Sequence, residues 1–218
     1  LGQLHYLDQE VGRLLSHVDE LGIRDNTLII YIGDNGGSRP IYADNTPLRG
    51  SKFTLYEGGT RVPLIISQPG TLPENKVSDN IVSALDLLPT LLTAAGQAVP
   101  KFADGIDLMP IVTGEAPDQE HQILHWKTAD EWSIRQGDWK LHTVHGPGAS
   151  PTEKVELEQG VFLRNLRTDP SETTNFIDQH PEILANLQTL HESWVAGLPV
   201  SKSNVPSATE WAEAPKPN

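Results

Sequence analysis

The chain contains no cysteine. Disulfides are therefore excluded, and cysteine usage says little about redox compartment. It also lacks any apolar run approaching the ~20 residues that a membrane-spanning helix needs. Basic side chains are scarce: 16 Lys and Arg stand against 29 Asp and Glu, for a net charge of −13. That balance argues against nucleic acid and anionic membrane surfaces as partners, because both are polyanions. Neither an internal repeat nor a low-complexity tract is visible. What is present is 218 residues, enough for one medium domain plus a small one.

Apolar residues recur at helical spacing through Leu4, Leu7, Val11, Leu14, Leu15, Val18 and Leu21. This predicts an amphipathic helix over residues 3 to 22, with Gly22 as its C-cap. A second helix is expected from about 83 to 95, with Pro89 kinking it or marking its start. Residues 97 to 121 read as a proline- and acid-rich connector. From Ile123 the pattern changes to alternation, Trp132 and Ile134 then Trp139 and Leu141, which predicts an antiparallel hairpin turning at Gln136-Gly137-Asp138. Val161 to Leu166 is a further strand. Asp169-Pro170-Ser171 is a turn, Asp169 capping it, and a last helix runs from Pro181 to Leu198. Gly146 to Thr152 reads as a loop tip, and residues 199 to 218 as a Pro-rich tail.

The most informative stretch is TLIIYIGDNGG, Thr27 to Gly37. Leu28 to Gly33 predicts a strand buried on both faces. In a parallel α/β sheet, ligands gather beyond the carboxyl ends of the strands. Asp34 and Asn35 fall there. A carboxylate beside an amide oxygen suits a hard cation such as Ca²⁺ or Mg²⁺, although Asp-Asn-Gly-Gly is also ordinary turn chemistry. Gly36 and Gly37 allow a sharp turn and leave room for a ligand.

The next block is PLRGSKFTLYEGGTRVPLIISQPG, Pro47 to Gly70. Lys52 is a compact point charge suited to an oxyanion, or else one more solvated lysine. Arg49 precedes the same glycine, Gly50, and its guanidinium is able to make bidentate contact with an oxyanion. Glu57 and Arg61, four apart, either pair or point to water. Gly58-Gly59 reads as a tight turn, and Val62 to Ser67 as a second buried strand. The loop from 38 to 47 lies at the mouth of this region, and Arg39, Tyr42 and Asp44 in it are candidates for tuning substrate choice. His125, beside Trp126, either lines a sugar pocket or packs the strand that carries it. His142 and His145 have no third ligand at zinc spacing. Trp194 and Trp211 read as packing or tail contacts.

Taken together these blocks resemble the type I, formylglycine-dependent sulfatases of the alkaline-phosphatase-like superfamily. The likeness rests on DNGG and PLRGSK…YEGGTRVP, in that order and spacing. It extends upstream through LDQEVGRLLSHVDELGIRDNTLI. Downstream it continues through SALDLLPTLLTAAG, DGIDLMPIVTG, WSIRQGDWKL and LRNLRTDPSETTNF, so it covers nearly all of residues 1 to 198. The resemblance implies an α/β fold: part of a mixed, mostly parallel sheet with flanking helices, then a small α+β subdomain with an antiparallel sheet. It implies that Asp34 and Asn35 coordinate an active-site Ca²⁺ and that Lys52 contacts the sulfate group. The implied substrate is a sulfated small molecule or glycan, and the implied compartment is the periplasm or the exterior. In the family, a formylglycine hydrate attacks sulfur, the alcohol leaves, and the covalent sulfate is expelled as the aldehyde re-forms.

One departure is large. The chain has no C-x-P-S-R or S-x-P-S-R segment, and no N-terminal Asp-Asp pair to complete the metal site. The expectation is a C-terminal half that is inactive alone and is completed by the N-terminal half of the same protein. Residues 1–115 would belong to the catalytic α/β domain, 116–198 to the small subdomain and 199–218 to the tail. Two other classes stay open: a phosphodiesterase or phosphonate hydrolase of the same superfamily, and a non-catalytic binding module that kept the fold. Intact Asp34, Asn35 and Lys52 speak against the last.

Overall fold

The computed structural model describes residues 2–38, 43–128, 131–144 and 159–198. Arg39, Tyr42, His145, the loop tip from Gly146 to Thr152, and the tail with Trp211 lie outside the described residues.

Helix α1 spans Gly2–Glu20. It ends where expected: Gly22 adopts φ +66°, its N–H donating to the Asp19 carbonyl and that of Ile23 to Val18. This is the Schellman arrangement that glycine permits. No residue of α1 is buried, and its apolar stripe is exposed at Leu4, Leu7 and Leu14.

Strand β1 (Ile29–Ile32) follows. Its partner is β2 (Leu64–Ser67), and the two run antiparallel, with Ile29 opposite Ser67 and Ile32 opposite Leu64. An apolar run does not encode pairing direction. Here the connecting residues bring the chain back at the end where β1 left, and the Gly33 N–H donates to the Pro63 carbonyl. This antiparallel pair is compatible with a mixed sheet. The expectation of burial on both faces is corrected: Tyr31 and Ile65, directly opposed, are both exposed.

Between these strands lies a short helix α2 (Glu57–Thr60). Gly58 and Gly59 are therefore inside a helical turn and not in the tight turn expected. Further on, a 3₁₀ turn (Ala84–Asp86) leads into α3 (Leu87–Ala94). Ser83 and Asp86 form a capping box at its start, and Pro89 falls in the first turn of α3, where proline is tolerated. The buried Asp86 carboxylate also accepts from the Ile106 N–H (2.8 Å) and faces His121 Nε2 (2.7 Å). It thereby pins the connector onto α3. That connector is not wholly irregular, since α4 (Met109–Thr113) forms in it and stops at Gly114, φ +86°.

The remainder is a four-stranded antiparallel meander in sequence order: β3 (Ile123–Lys127), β4 (Trp132–Gln136), β5 (Trp139–Val144) and β6 (Gly160–Asn165). Helix α5 (Pro181–Gly197) packs on β4 and β5. Alternation decides what each sheet face carries. Ile134, Leu141 and Leu163 meet Leu187 of α5 to form the main core, with Trp132 and Trp139 at its margin. On the other face, Val144 and Phe162 pack against Tyr56, which precedes α2. β5 is thus buried on both faces, the property that the sequence suggested for β1. No helix among the described residues is long and apolar enough to cross a membrane.

Candidate functional site

The end of β1 and the loop after Pro47 are built into one another by their backbones. Gly36 N–H donates to the Gly59 carbonyl (2.9 Å), Gly58 N–H to the Arg49 carbonyl (2.7 Å), and Lys52 N–H to the Gly37 carbonyl (3.2 Å). Asn45 adds a side-chain bridge: its Oδ1 accepts from Gly37 N–H, while its Nδ2 donates to the carbonyls of Gly37 and Gly50. The glycines are explained by this proximity. A Cβ on Gly36 would fall on the Gly58 carbonyl oxygen, and one on Gly59 would strike the carbonyl oxygens of Thr54 and Ser51. Only bare backbone permits such an approach.

This junction carries Asp34, Asn35 and Lys52. Asp34 is exposed and Asn35 half-buried. Asp34 Oδ1 accepts from the Asn35 N–H at 2.9 Å, and Asn35 Nδ2 donates to the Gly36 carbonyl at 2.9 Å. These bonds fix both side chains by their inner atoms and leave carboxylate and amide oxygens able to face a ligand. Lys52 is half-buried, with its Nζ 5.2 Å from the centre of the Phe53 ring. Phe53 itself has φ +74°, a left-handed conformation that is strained for a bulky side chain and is kept only where the surroundings enforce it.

Arg49 is engaged from within the protein. Its Nη1 donates to the Glu172 carbonyl at 2.9 Å, and its guanidinium lies over the Tyr56 ring at 4.8 Å. Asp44 borders a cavity of about 220 Å³ lined with Asn45, Thr46, Leu48 and Gly50. Its Oδ1 accepts from the Thr46 N–H (2.9 Å), which holds its carboxyl below the usual value. His125 belongs to the packing between β3 and α5: its ring stacks on Trp194 at 4.5 Å, with His191 beside it at 5.7 Å. Burial, and then His191, push the His125 imidazole down to about 4.

Sequence reasoning missed a buried ionic cluster directly behind the junction. Glu57 does not pair with Arg61, which is exposed. Its Oε1 instead accepts from Lys140 Nζ of β5 at 2.8 Å. Lys140 Nζ also lies 3.1 Å from Glu172 Oε1, and Glu172 Oε2 accepts from the Glu57 N–H at 2.6 Å. All three side chains are sealed from solvent. Burial works to raise the Glu57 carboxyl, but the charge and hydrogen bond of Lys140, with the charges of Arg135 and Arg61, together hold it below its ordinary value. Burial raises that of Glu172, with Lys140 opposing. His142 projects nearby, edge-on to Tyr56 at 4.7 Å. Burial, and then the charges of Lys140, Arg164 and Arg49, keep it neutral. The available signal was a lysine between Trp139 and Leu141, at a strand position facing opposite to both.

The donor set at Asp34 and Asn35 fits part of a Ca²⁺ shell: both groups offer hard oxygens, adjacent and held by backbone bonds. The ion wants 6–8 oxygens, and no further cluster of three His, Asp or Glu suited to a metal exists among the described residues. These two would hold one side of the ion.

A family model for sulfatases matches residues 1–97, and a model for the C-terminal region of N-sulphoglucosamine sulphohydrolase matches residues 51–195. The chain is similar to an N-acetylgalactosamine-6-O-sulfatase of Bacteroides thetaiotaomicron, 30% identical over 207 residues, covering 86% of this chain and 40% of that protein. It is similar to human arylsulfatase A, 30% identical over 207 residues, covering 84% of this chain and 41% of that protein. Among solved structures it resembles Ps i-CgsB in complex with k-i-k-neocarrahexaose, with a TM-score of 0.74 to 0.75 across that and a structure from a study of glycosaminoglycan metabolism by Bacteroides thetaiotaomicron. Identities are 28% and 27%, over 88% and 86% of this chain and 42% of each of theirs. The chain therefore spans about two fifths of the length of the relatives it matches.

Proposed function

The chain belongs to the sulfatase family, and on that premise we propose that it forms the C-terminal part of an enzyme hydrolysing sulfate esters of a carbohydrate. The observation that carries this reading is the 3.2 Å hydrogen bond from Lys52 N–H to the Gly37 carbonyl. It fastens a cation-bearing loop to the segment that carries Asp34 and Asn35, three and two residues ahead of that carbonyl.

In this reading Lys52 binds the non-bridging oxygens of the sulfate and stabilises the charge they carry in the transition state. Asp34 and Asn35 hold Ca²⁺, which when bound supplies further positive charge to the ester. Arg49, Tyr42 and His125 remain candidate substrate contacts. Arg49 is the strongest of the three by sequence position, while its bond to Glu172 gives it a bracing role as well. The nucleophile is assigned to a formylglycine outside these residues, because the chain offers no cysteine and no C/S-x-P-S-R segment to carry it. These 218 residues alone are therefore inactive. The catalytic part is placed at 1–115, the small subdomain at 116–198 and the tail at 199–218. The related phosphodiesterase and binding-module readings carry no observation of their own here.

Carbohydrate is the favoured substrate class because the similar proteins include an N-acetylgalactosamine-6-O-sulfatase and a protein solved with a neocarrahexaose. Periplasmic or secreted localisation follows the family, and fractionation of cells expressing the complete protein checks it. The central experiment is sulfate release from an aryl sulfate and from sulfated sugars by the complete protein supplied with Ca²⁺. Failure to release sulfate from any of them, with a folded protein carrying its formylglycine, overturns the reading.

A further inference from the structure

We propose that Lys140 is a positioning residue for Lys52, holding the sulfate-binding loop in place from the far side through Glu57 and Glu172. This rests on the reading of Lys52 given above.

The loop from Gly50 to Tyr56 is gripped at both ends by the same partner. At its start, Arg49 donates to the Glu172 carbonyl at 2.9 Å. At its end, the Glu57 N–H donates to Glu172 Oε2 at 2.6 Å. Ser171 adds a third tie, its hydroxyl donating to the Pro47 carbonyl at 2.7 Å. Two carboxylates brought this close in a dry interior repel, and the arrangement needs a cation between them. Lys140 is that cation, 2.8 Å from Glu57 and 3.1 Å from Glu172. Arg135, at 3.8 Å from Glu57 Oε2, stands further off and in part faces solvent. Lys140 is the second residue of β5, the best-buried strand, so the grip is anchored in the sheet.

The loop between the grips is not at rest. Phe53, next to Lys52, holds φ +74°, and Glu172 holds φ +52°. Non-glycine residues keep such conformations only when neighbours over-determine them. Inside the loop, Thr54 Oγ1 donates to the Ser51 carbonyl and accepts from the Ser51 N–H. Those bonds shape the loop but do not fix its location. Location comes from the bonds to Gly37 and Asn45 on the site side and from the two ends on the far side, and both ends lead to Glu172, whose carboxylate Lys140 holds.

The test uses the complete enzyme with Lys140→Met, Lys140→Arg, Glu172→Gln and Lys52→Ala, each checked by circular dichroism. Readouts are kcat and KM on an aryl sulfate and competitive inhibition by inorganic sulfate. A displacement of about 1 Å at a binding group costs on the order of 10²-fold. The expected result is a loss of that order in kcat/KM for Lys140→Met, with weakened sulfate inhibition in the folded protein. Lys140→Arg should recover part of both, and Glu172→Gln should fall in the same direction. A merely structural role would lower the melting temperature and leave sulfate inhibition of the folded protein unchanged. Folded Lys140→Met and Glu172→Gln proteins with wild-type sulfate inhibition overturn the proposal. So does failure of both to fold, which assigns the cluster to stability alone. If Lys52→Ala is silent, the underlying reading of Lys52 fails and the positioning proposal with it. If Lys52→Ala is impaired while Lys140→Met is silent, only the positioning proposal falls.

Discussion

Lys140 and Glu57 lie 83 positions apart in the chain, yet the lysine Nζ meets the Glu57 carboxylate at 2.8 Å with both side chains buried. A charge pair this deep is weak evidence for net stability, because desolvation offsets most of its attraction. Its position is more telling. It joins β5 to Glu57, the residue that follows the loop carrying Lys52.

Lys52→Ala in the complete enzyme should reduce turnover by ~10²-fold or more, the scale of losing one group that stabilises transition-state charge. Lys76→Ala and Lys101→Ala, both exposed, should change little. Hydrolysis of an aryl sulfate under saturating Ca²⁺ makes the comparison. A folded Lys52→Ala enzyme with wild-type turnover returns Lys52 to the surface lysines and makes Arg49 the better candidate.

Asp34→Ala should raise the Ca²⁺ concentration needed for activity, and chelation should abolish activity reversibly. The isolated chain should bind Ca²⁺ weakly, since Asp34 and Asn35 supply few of the 6–8 oxygens required. Calorimetric titration of the isolated chain checks the second statement, and tight binding there would contradict it.

Gly36→Ala should destabilise the complete protein by at least the ~1–3 kcal/mol typical of overpacking, because the new methyl falls on the Gly58 carbonyl. Gly12→Ala is the matched control. It lies in α1 with nothing within 4 Å of the added carbon, and a helical glycine replaced by alanine gains roughly 0.5–1 kcal/mol. Chemical denaturation of the two variants should shift in opposite directions.

The histidine stack predicts a pH dependence. His125 titrates at about 4 in the folded protein, and burial lowers His191 as well. Lys127 disfavours the charged form of His191, while Glu192 favours it. Below the ordinary histidine value of ~6.5 the unfolded chain takes up protons that the folded chain refuses. Stability should therefore rise with pH across the window from ~4 to ~6.5 and fall as acid is added. His125→Phe, which keeps a ring against Trp194, should flatten that slope in thermal melts recorded between pH 5 and pH 7.

The isolated chain should self-associate. Leu4, Leu7 and Leu14 on α1, Tyr31 and Ile65 on the β1–β2 pair, and Leu88 and Leu91 on α3 are all exposed, and apolar surface on this scale seeks cover. Sedimentation velocity reads the outcome, and a monodisperse, cooperatively melting monomer would show the segment to be autonomous.

The sequence by itself determined much of the local structure, though not the helical turn at Gly58-Gly59 or α4 within the connector. Helical spacing and Gly22 placed α1, alternation around Gly137-Asp138 placed the β4–β5 hairpin, and Pro181 opened α5. Such signals are legible because periodicity and turn chemistry act within a few residues. DNGG and LRGSK also marked the candidate site before any geometry was known. Only the tertiary structure decided how those pieces meet. The pairing direction of β1 and β2, the packing of Gly36 on Gly58, the stacking of His125 on Trp194 and the exchange of Arg61 for Lys140 as the partner of Glu57 all join residues distant in sequence. A one-dimensional pattern tells which side of an element is apolar. It does not tell which distant backbone or charge will close against it, because that depends on burial created by the whole fold at once.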